Sequence, residues 1–503
     1  MKKAVPLMIQ GTHSDAGKSA LVTALCRIFV QDGFKTAPYK SQNMALNSYI
    51  TMDGKEIGRA QGVQAEAARI AATTDMNPIL IKPTSDSQSQ IVVHGKPYKN
   101  MQAGAYRKEF YEQGLQLIEE SYSSLASQYE RIVIEGAGSP AEINLNDREL
   151  VNMRVAQIAN SPVILVGDIE KGGVFASLVG TLQLLHPEDR KRVVGVFINK
   201  FRGDVTLLEP GLTWFEEYTG VPVLGVIPFI HDLMIEAEDS VVLSKYATNQ
   251  DSSKEIDIAV IRYPMISNFT DIDPLFEEPD CHVRFVNKAE DLGNPDLVIL
   301  PGSKNTIEDL MFIDNNGLSN RILQLAETGS TTIVGICGGY QMLGNTIEDQ
   351  YGVESTHLKK SGLGLIPMKT SMTQTKLTVH SEGVAVLGER SIAVSGYEIH
   401  MGESIYEKEH NPFIYLVDRE EGFISSNRKL IGTYFHGVFH NDRLREVLLN
   451  DIRQKKGLGP VLNRSSFAQK KEEGFDLLAK VVREHIQLDR IYEIMTRYQK
   501  NKN

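Results

Sequence analysis

Only three cysteines, Cys26, Cys281 and Cys337, occur in 503 residues. They are too few for a disulfide framework, and none has the close C-x-x-C spacing of a structural zinc site. A reduced compartment suits such a chain. Long apolar runs are missing too: no stretch reaches the roughly 18 uninterrupted apolar residues of a membrane span, so a soluble protein without a membrane partner is expected. The apolar run after Lys3 flows straight into a glycine-rich loop and reads as a first strand rather than a secretory signal, which places the chain in the cytoplasm. Nor is there an excess of positive charge. A formal charge of −11 disfavours nucleic acid as a partner, because affinity for polyphosphate comes from clustered Lys and Arg. Internal repeats and low-complexity tracts are absent as well.

What is present has ordinary globular proportions, 42% apolar and 23% charged, and the length exceeds what one hydrophobic core supports. In residues 1–245 the β-branched runs VPLMIQG, TAPYK, RIVIEG, PVILVGD, RVVGVFINK and PVLGVIP alternate with helix-like segments. That alternation predicts crossover units and a parallel sheet covered on both faces. Polar turn-formers at 246–256 then mark a linker. A second α/β domain over 257–445 carries CHVRFV, LVILPGS, TTIVGICGG and LIGTYFHGVF. The remainder, 446–503, is expected to be a helical tail; apolar residues spaced from Phe475 to Tyr498 predict an amphipathic helix packing onto the second domain.

After the first strand, Gly11-Thr12-His13-Ser14-Asp15-Ala16-Gly17-Lys18-Ser19 opens a helical run. Strand, glycine loop and helix form the setting in which backbone N–H groups hold phosphates, with Lys18 reaching them and Ser19 able to coordinate magnesium. Thr12 stands where the strict P-loop pattern has a glycine, so Thr12, Gly17, Lys18 and Ser19 form a variant nucleotide site. Glu135 and Asp168 end two sheet strands, beside the ligand crevice of an open α/β sheet, and are candidates for holding magnesium. A helix cap or solvated turn is the alternative for Asp168. Lys40, ending TAPYK, either adds charge over the phosphoryl oxygens or faces water. INKFRGD has its aspartate too late for a guanine-reading N-K-x-D motif.

Gly335-Ile336-Cys337-Gly338-Gly339 has the G-x-nucleophile-x-G form with cysteine in place of serine. Such an elbow presents the sulfur at a helix N-terminus, lets the Gly338 N–H stabilise an oxyanion, and predicts a second donor from Leu300-Pro301-Gly302-Ser303. The thiol needs a base. His436, between a strand and a glycine turn in Gly432-Thr433-Tyr434-Phe435-His436-Gly437, is favoured over His400 in Gly396-Tyr397-Glu398-Ile399-His400-Met401-Gly402, which is read as substrate-binding or structural.

Taken in order, QGTHSDAGKS, YKSQNMALNSYIT, DGKEIGRAQ, MNPILIKP, EGAGSPAEINL, DIEKGGVFAS, INKFRGD, GYEIHMG and GTYFHGVF resemble the cobyric acid synthase family of glutamine-hydrolysing amidotransferases in cobalamin biosynthesis. The resemblance implies a P-loop, dethiobiotin synthetase-like parallel-sheet domain followed by a class I glutamine amidotransferase α/β domain. It also implies ATP- and glutamine-dependent amidation of the b, d, e and g carboxylates of adenosylcobyrinic acid a,c-diamide, with magnesium as cofactor and a corrinoid and glutamine as small-molecule partners. Carried over by position, Cys337 is the nucleophile and His436 its base, and Lys18, Ser19 and Glu135 serve nucleotide and magnesium. Most class I domains orient the histidine with a glutamate two residues later. Here Val438 stands there, which resembles cobalamin-pathway members and leaves the orienting group open. The rivals are cobyrinic acid a,c-diamide synthase, a P-loop switch ATPase and a noncatalytic scaffold.

Overall fold

A computed structural model describes residues 4–84, 87–230 and 253–500; most of the expected linker, from 246 to 252, lies outside the described residues. The six runs of the first half form β1 (Val5–Gly11), β2 (Thr36–Tyr39), β3 (Arg131–Glu135), β4 (Val163–Asp168), β5 (Val193–Phe201) and β6 (Val223–Pro228). They pair in parallel in the order β6-β5-β4-β1-β3-β2. Every residue of β1 and β4 is buried, as expected for strands covered on both faces. Strand order reverses at β1, and at such a switch point a ligand crevice opens beyond the carboxyl ends. Helix α1 (Lys18–Gln31) leaves β1 there.

Between β2 and β3 the chain inserts α2 (Arg59–Ala67) and a small mixed sheet of Gln42–Met44, Ile79–Pro83, Gln88–Val93 and Lys96–Gln102. This insertion meets the second domain: the Ser48 N–H donates to Asn268 Oδ1 at 2.9 Å, and His380 Nε2 lies 3.0 Å from the Ile50 carbonyl oxygen.

The second domain contains β7 (Ile256–Ile261), β8 (Cys281–Val286), β9 (Leu297–Leu300), β10 (Thr332–Ile336), a long hairpin of β11 (Met368–Leu387) and β12 (Arg390–Tyr406), β13 (Phe423–Ile424), β14 (Leu430–Thr433) and β15 (Phe435–His436). Its main sheet runs β8-β7-β9-β10-β14-β13, parallel apart from β13. The chain leaves this sheet at Thr433 and joins the hairpin edge at once, where Tyr397 faces His436 in the register of β12 and β15.

The tail departs from expectation. Helix α4 (Asp442–Lys455) packs on the second domain, but α5 (Phe467–His485) and α6 (Leu488–Lys500) pack on the first, burying Leu478, Val482, Ile491 and Met495 among Leu7, Val22, Leu25 and Phe29. Apolar spacing defines a face without naming its partner. What selects the partner is polar: the buried guanidinium of Arg27 on α1 meets Glu472 at 2.5 Å and Asp476 at 3.1 Å, both on α5, and a buried cation without a carboxylate is costly. The single expected helix is also broken, because Ile486 bridges to Gly225 at the β6 edge.

Candidate active sites at the strand ends

Cys337 sits at the end of β10 with φ +50° and ψ −109°, where α3 (Gly338–Leu343) begins. That conformation is strained for a side-chain-bearing residue, and its neighbours make room for it. A Cβ on Gly339 would collide with the Leu300 carbonyl, and one on Gly338 would stand 2.8 Å from Ser303 N, so Gly302-Ser303 lies directly against the elbow. The thiol is buried and approaches the Ile399 carbonyl oxygen at 3.6 Å. Burial pushes the thiols of Cys26 and Cys281 up.

The crossing from β14 to β15 delivers His436. Glu421 holds this crossing, accepting from Thr433 Oγ1 at 2.7 Å and from the Tyr434 N–H at 2.6 Å. The imidazole is fully buried and stacks on Tyr397 with ring centroids 5.0 Å apart. Its Nδ1 lies 2.6 Å from Asp271 Oδ2, while Asp271 Oδ1 accepts from the Gly437 N–H at 2.8 Å. Asp271 Oδ2 therefore holds the ring and Oδ1 the backbone beside it, which leaves Nε2 for Cys337. Burial favours neutral imidazole, but the Asp271 carboxylate and the Cys337 thiol outweigh it and push the His436 pKa up to about 10. An imidazolium beside a thiol is the arrangement that generates thiolate.

His400 borders the same chamber as Cys337 but is tied differently, with Nδ1 2.7 Å from the Gly402 carbonyl oxygen and its ring stacked on Tyr434 at 3.9 Å. Among the described residues no carboxylate hydrogen-bonds its Nδ1, and Glu398 Oε2 stands 3.8 Å from its Nε2 instead. Asp271 is the residue that sequence reasoning missed. Its signal is faint, two aspartates in Asn268-Phe269-Thr270-Asp271-Ile272-Asp273 following β7.

At the other crevice Gly17 adopts φ +92° at the start of α1, and a Cβ there would run into Asn199. Lys18 Nζ, buried in the loop, donates to the carbonyls of His13 at 3.0 Å and Gly138 at 3.3 Å. Thr12 Oγ1 is buried without a partner among the described residues. Ser19 Oγ donates to Glu135 Oε1 at 2.8 Å, and Lys40 Nζ stands 2.9 Å from the same oxygen. Ser19, Lys40 and Glu135 thus converge. Asp168 is engaged elsewhere, with Lys200 Nζ at 2.8 Å, and Lys200 also donates to the Asp15 carbonyl at 2.6 Å.

The first-domain insertion also carries buried polar pairs, one of which reaches the second domain. Gln64 on α2 donates to Glu135, Asn43 donates to Gln61 at 3.0 Å, and Lys82 binds Glu56 at 2.6 Å. Glu56 then meets Lys376 of the second domain at 2.5 Å, and Lys82 and Lys376 border the chamber that holds Cys337. Gln61 Nε2 and Gln64 Oε1 lack partners among the described residues.

A nucleotide-binding loop in one domain and a cysteine elbow facing a histidine in the next define a class, the glutamine amidotransferase fused to a nucleotide-binding domain. Comparison with known proteins agrees with this: residues 7–242 match the CobQ/CobB/MinD/ParA nucleotide binding domain, and residues 257–444 match the CobB/CobQ-like glutamine amidotransferase domain. Cobyric acid synthase of a Geobacillus species is 62% identical over 99% of both chains. That of Anoxybacillus flavithermus is 60% identical over 100% of this chain and 99% of its own, and that of Citrobacter koseri is 49% identical over 98% of each. The chain belongs to the cobyric acid synthase family and is an amide-forming glutamine amidotransferase. A switch ATPase would account for the first domain alone. Among the described residues no helix is long and apolar enough to cross a membrane.

Proposed function

We propose that this enzyme uses ATP and glutamine to amidate the b, d, e and g carboxylates of adenosylcobyrinic acid a,c-diamide. The observation that carries the reading is that the Lys82–Glu56–Lys376 ion pairs join the first-domain insertion to the second domain at the chamber that holds Cys337. Asp271 accepts a hydrogen bond from His436 Nδ1–H and so directs Nε2 toward the thiol. The Cys337 thiolate attacks the side-chain carboxamide carbon of glutamine, with the Gly338 N–H and the Gly302-Ser303 segment facing the developing oxyanion. His436 gives its proton to the departing nitrogen, ammonia leaves, and water hydrolyses the thioester.

In the first domain Lys18 lies where it can follow charge on the transferring phosphoryl group as a substrate carboxylate becomes an acyl phosphate. The Ser19 hydroxyl and the Glu135 carboxylate are hard oxygen donors of the kind magnesium takes, so these two residues would hold the ion, whose chemistry is to offset phosphate charge. Lys40 shares Glu135 and keeps that carboxylate paired between turnovers. Asp168 positions Lys200 against the P-loop backbone. Ammonia attacks the carbonyl carbon of the acyl phosphate, the C–N bond forms and inorganic phosphate leaves.

Mass spectrometry of the corrinoid after incubation of the a,c-diamide with ATP and glutamine tests this assignment. Four successive mass steps are expected. No change in the a,c-diamide, with amidation of its undiamidated precursor instead, would point to cobyrinic acid a,c-diamide synthase.

A further inference from the structure

Three lysines border the chamber that holds the Cys337 thiol, and the chemistry above uses none of them. They come from separate segments: Lys82 from the first-domain insertion, Lys304 after β9, and Lys376 from β11. All three are buried, with side-chain exposures of 4% for Lys82 and 8% for Lys376 and a residue exposure of 7% for Lys304. Glu56 serves two of them, placing Oε1 2.6 Å from Lys82 Nζ and Oε2 2.5 Å from Lys376 Nζ, and Ser48 Oγ accepts from Lys82 at 2.7 Å. Lys304 is not so served. Its ammonium has neither a hydrogen bond nor an ion pair within contact distance among the described residues.

The Lys304 ammonium opens into the chamber with no ion pair there among the described residues, which places it to receive a ligand anion. Burial pulls the Lys304 ammonium below its ordinary range, and Glu354 opposes that most strongly. Glu354 makes only long contacts with Thr306, at 3.4 and 3.5 Å, so the chamber offers both a cation and a carboxylate. That pair of charges matches the end of an α-amino acid.

We propose that Lys304 receives the α-carboxylate of glutamine, with Lys82 and Lys376 fixed behind it by Glu56, so that the nucleotide-binding domain builds one wall of the glutaminase pocket. The inference rests on Cys337 being the glutaminase nucleophile. Lys304 and Lys376 carry the subsite on the second domain, and Lys82 and Glu56 tie it to the first.

The test measures ammonia release by the full-length enzyme from L-glutamine and from 4-aminobutanamide, which is glutamine without its α-carboxylate. A charge-assisted contact in a desolvated site gives the wild type a preference for glutamine of roughly 10- to 100-fold in kcat/KM. Lys304→Met should collapse that preference toward unity, chiefly through KM for glutamine. Lys304→Arg should keep most of it, and Lys82→Met, across the domain interface, should erode it partly. Ammonia-supported amidation reports whether each variant is folded. A wild-type preference retained by folded Lys304→Met, or a wild type that does not discriminate, overturns the subsite. If Lys304→Met does not fold, the Lys82→Met ratio decides, and an unchanged ratio refutes the shared wall. Absence of any ammonia release by the wild type would instead refute the reading of Cys337.

Discussion

Asp271 Oδ2 lies 2.6 Å from His436 Nδ1 although 165 positions separate the two residues. In this chain the carboxylate that orients the histidine comes from the segment after the first strand of the second domain, while Val438 occupies the place where a glutamate is expected in most class I domains. Replacing Asp271 with Asn should cut glutamine hydrolysis roughly 100- to 10,000-fold, the range for losing a positioned base or its orienting partner. Ammonia-supported amidation should persist. Steady-state rates with both nitrogen sources check this.

The same contact sets a pH dependence. His436 titrates near pH 6.5 in an unfolded chain and at about 10 in the folded one. Its folded pKa is raised, so the stabilisation from the protonated pair is fully present below about 6.5 and is lost as pH rises through about 10. The alkaline limb of single-turnover thioester formation should therefore lie near pH 10 and move to lower pH in Asp271→Asn. A limb that stays in place in the variant would separate the titration from this pair.

Much of this was legible in the sequence. The elbow announces itself because Gly335, Cys337, Gly338 and Gly339 meet a local steric demand, and the six strand runs because strands covered on both faces are largely apolar. Asp271 was not legible. Its role depends on β14 handing the chain to the hairpin edge, a tertiary event that leaves no spacing between Asp271 and His436. The tail was misassigned for a similar reason, since the carboxylates that satisfy Arg27 lie 445 and 449 positions further on.

Docking of α5 on the first domain can be tested by Leu478→Ala. Deleting a buried leucine side chain costs about 2–5 kcal/mol. Hydrogen exchange should quicken in α1 and β6 and not in the second-domain sheet. Loss of protection confined to β7–β10 would place the tail on the wrong domain.

Lys18→Ala should abolish amidation with glutamine and with ammonium alike, because the missing charge acts on phosphoryl transfer, where such contacts contribute on the order of several kcal/mol. Glutamine hydrolysis by the variant should survive. Near-normal ammonia-supported turnover would remove Lys18 from the nucleotide site.

The most direct test of two coupled sites is amidation by Cys337→Ser, followed by mass spectrometry of the corrinoid with glutamine in one arm and a high ammonium concentration in the other. The division of labour between the domains requires no amidation from glutamine and near wild-type amidation from ammonium. A folded Cys337→Ser enzyme that still amidates with glutamine, or fails with both nitrogen sources, would contradict it.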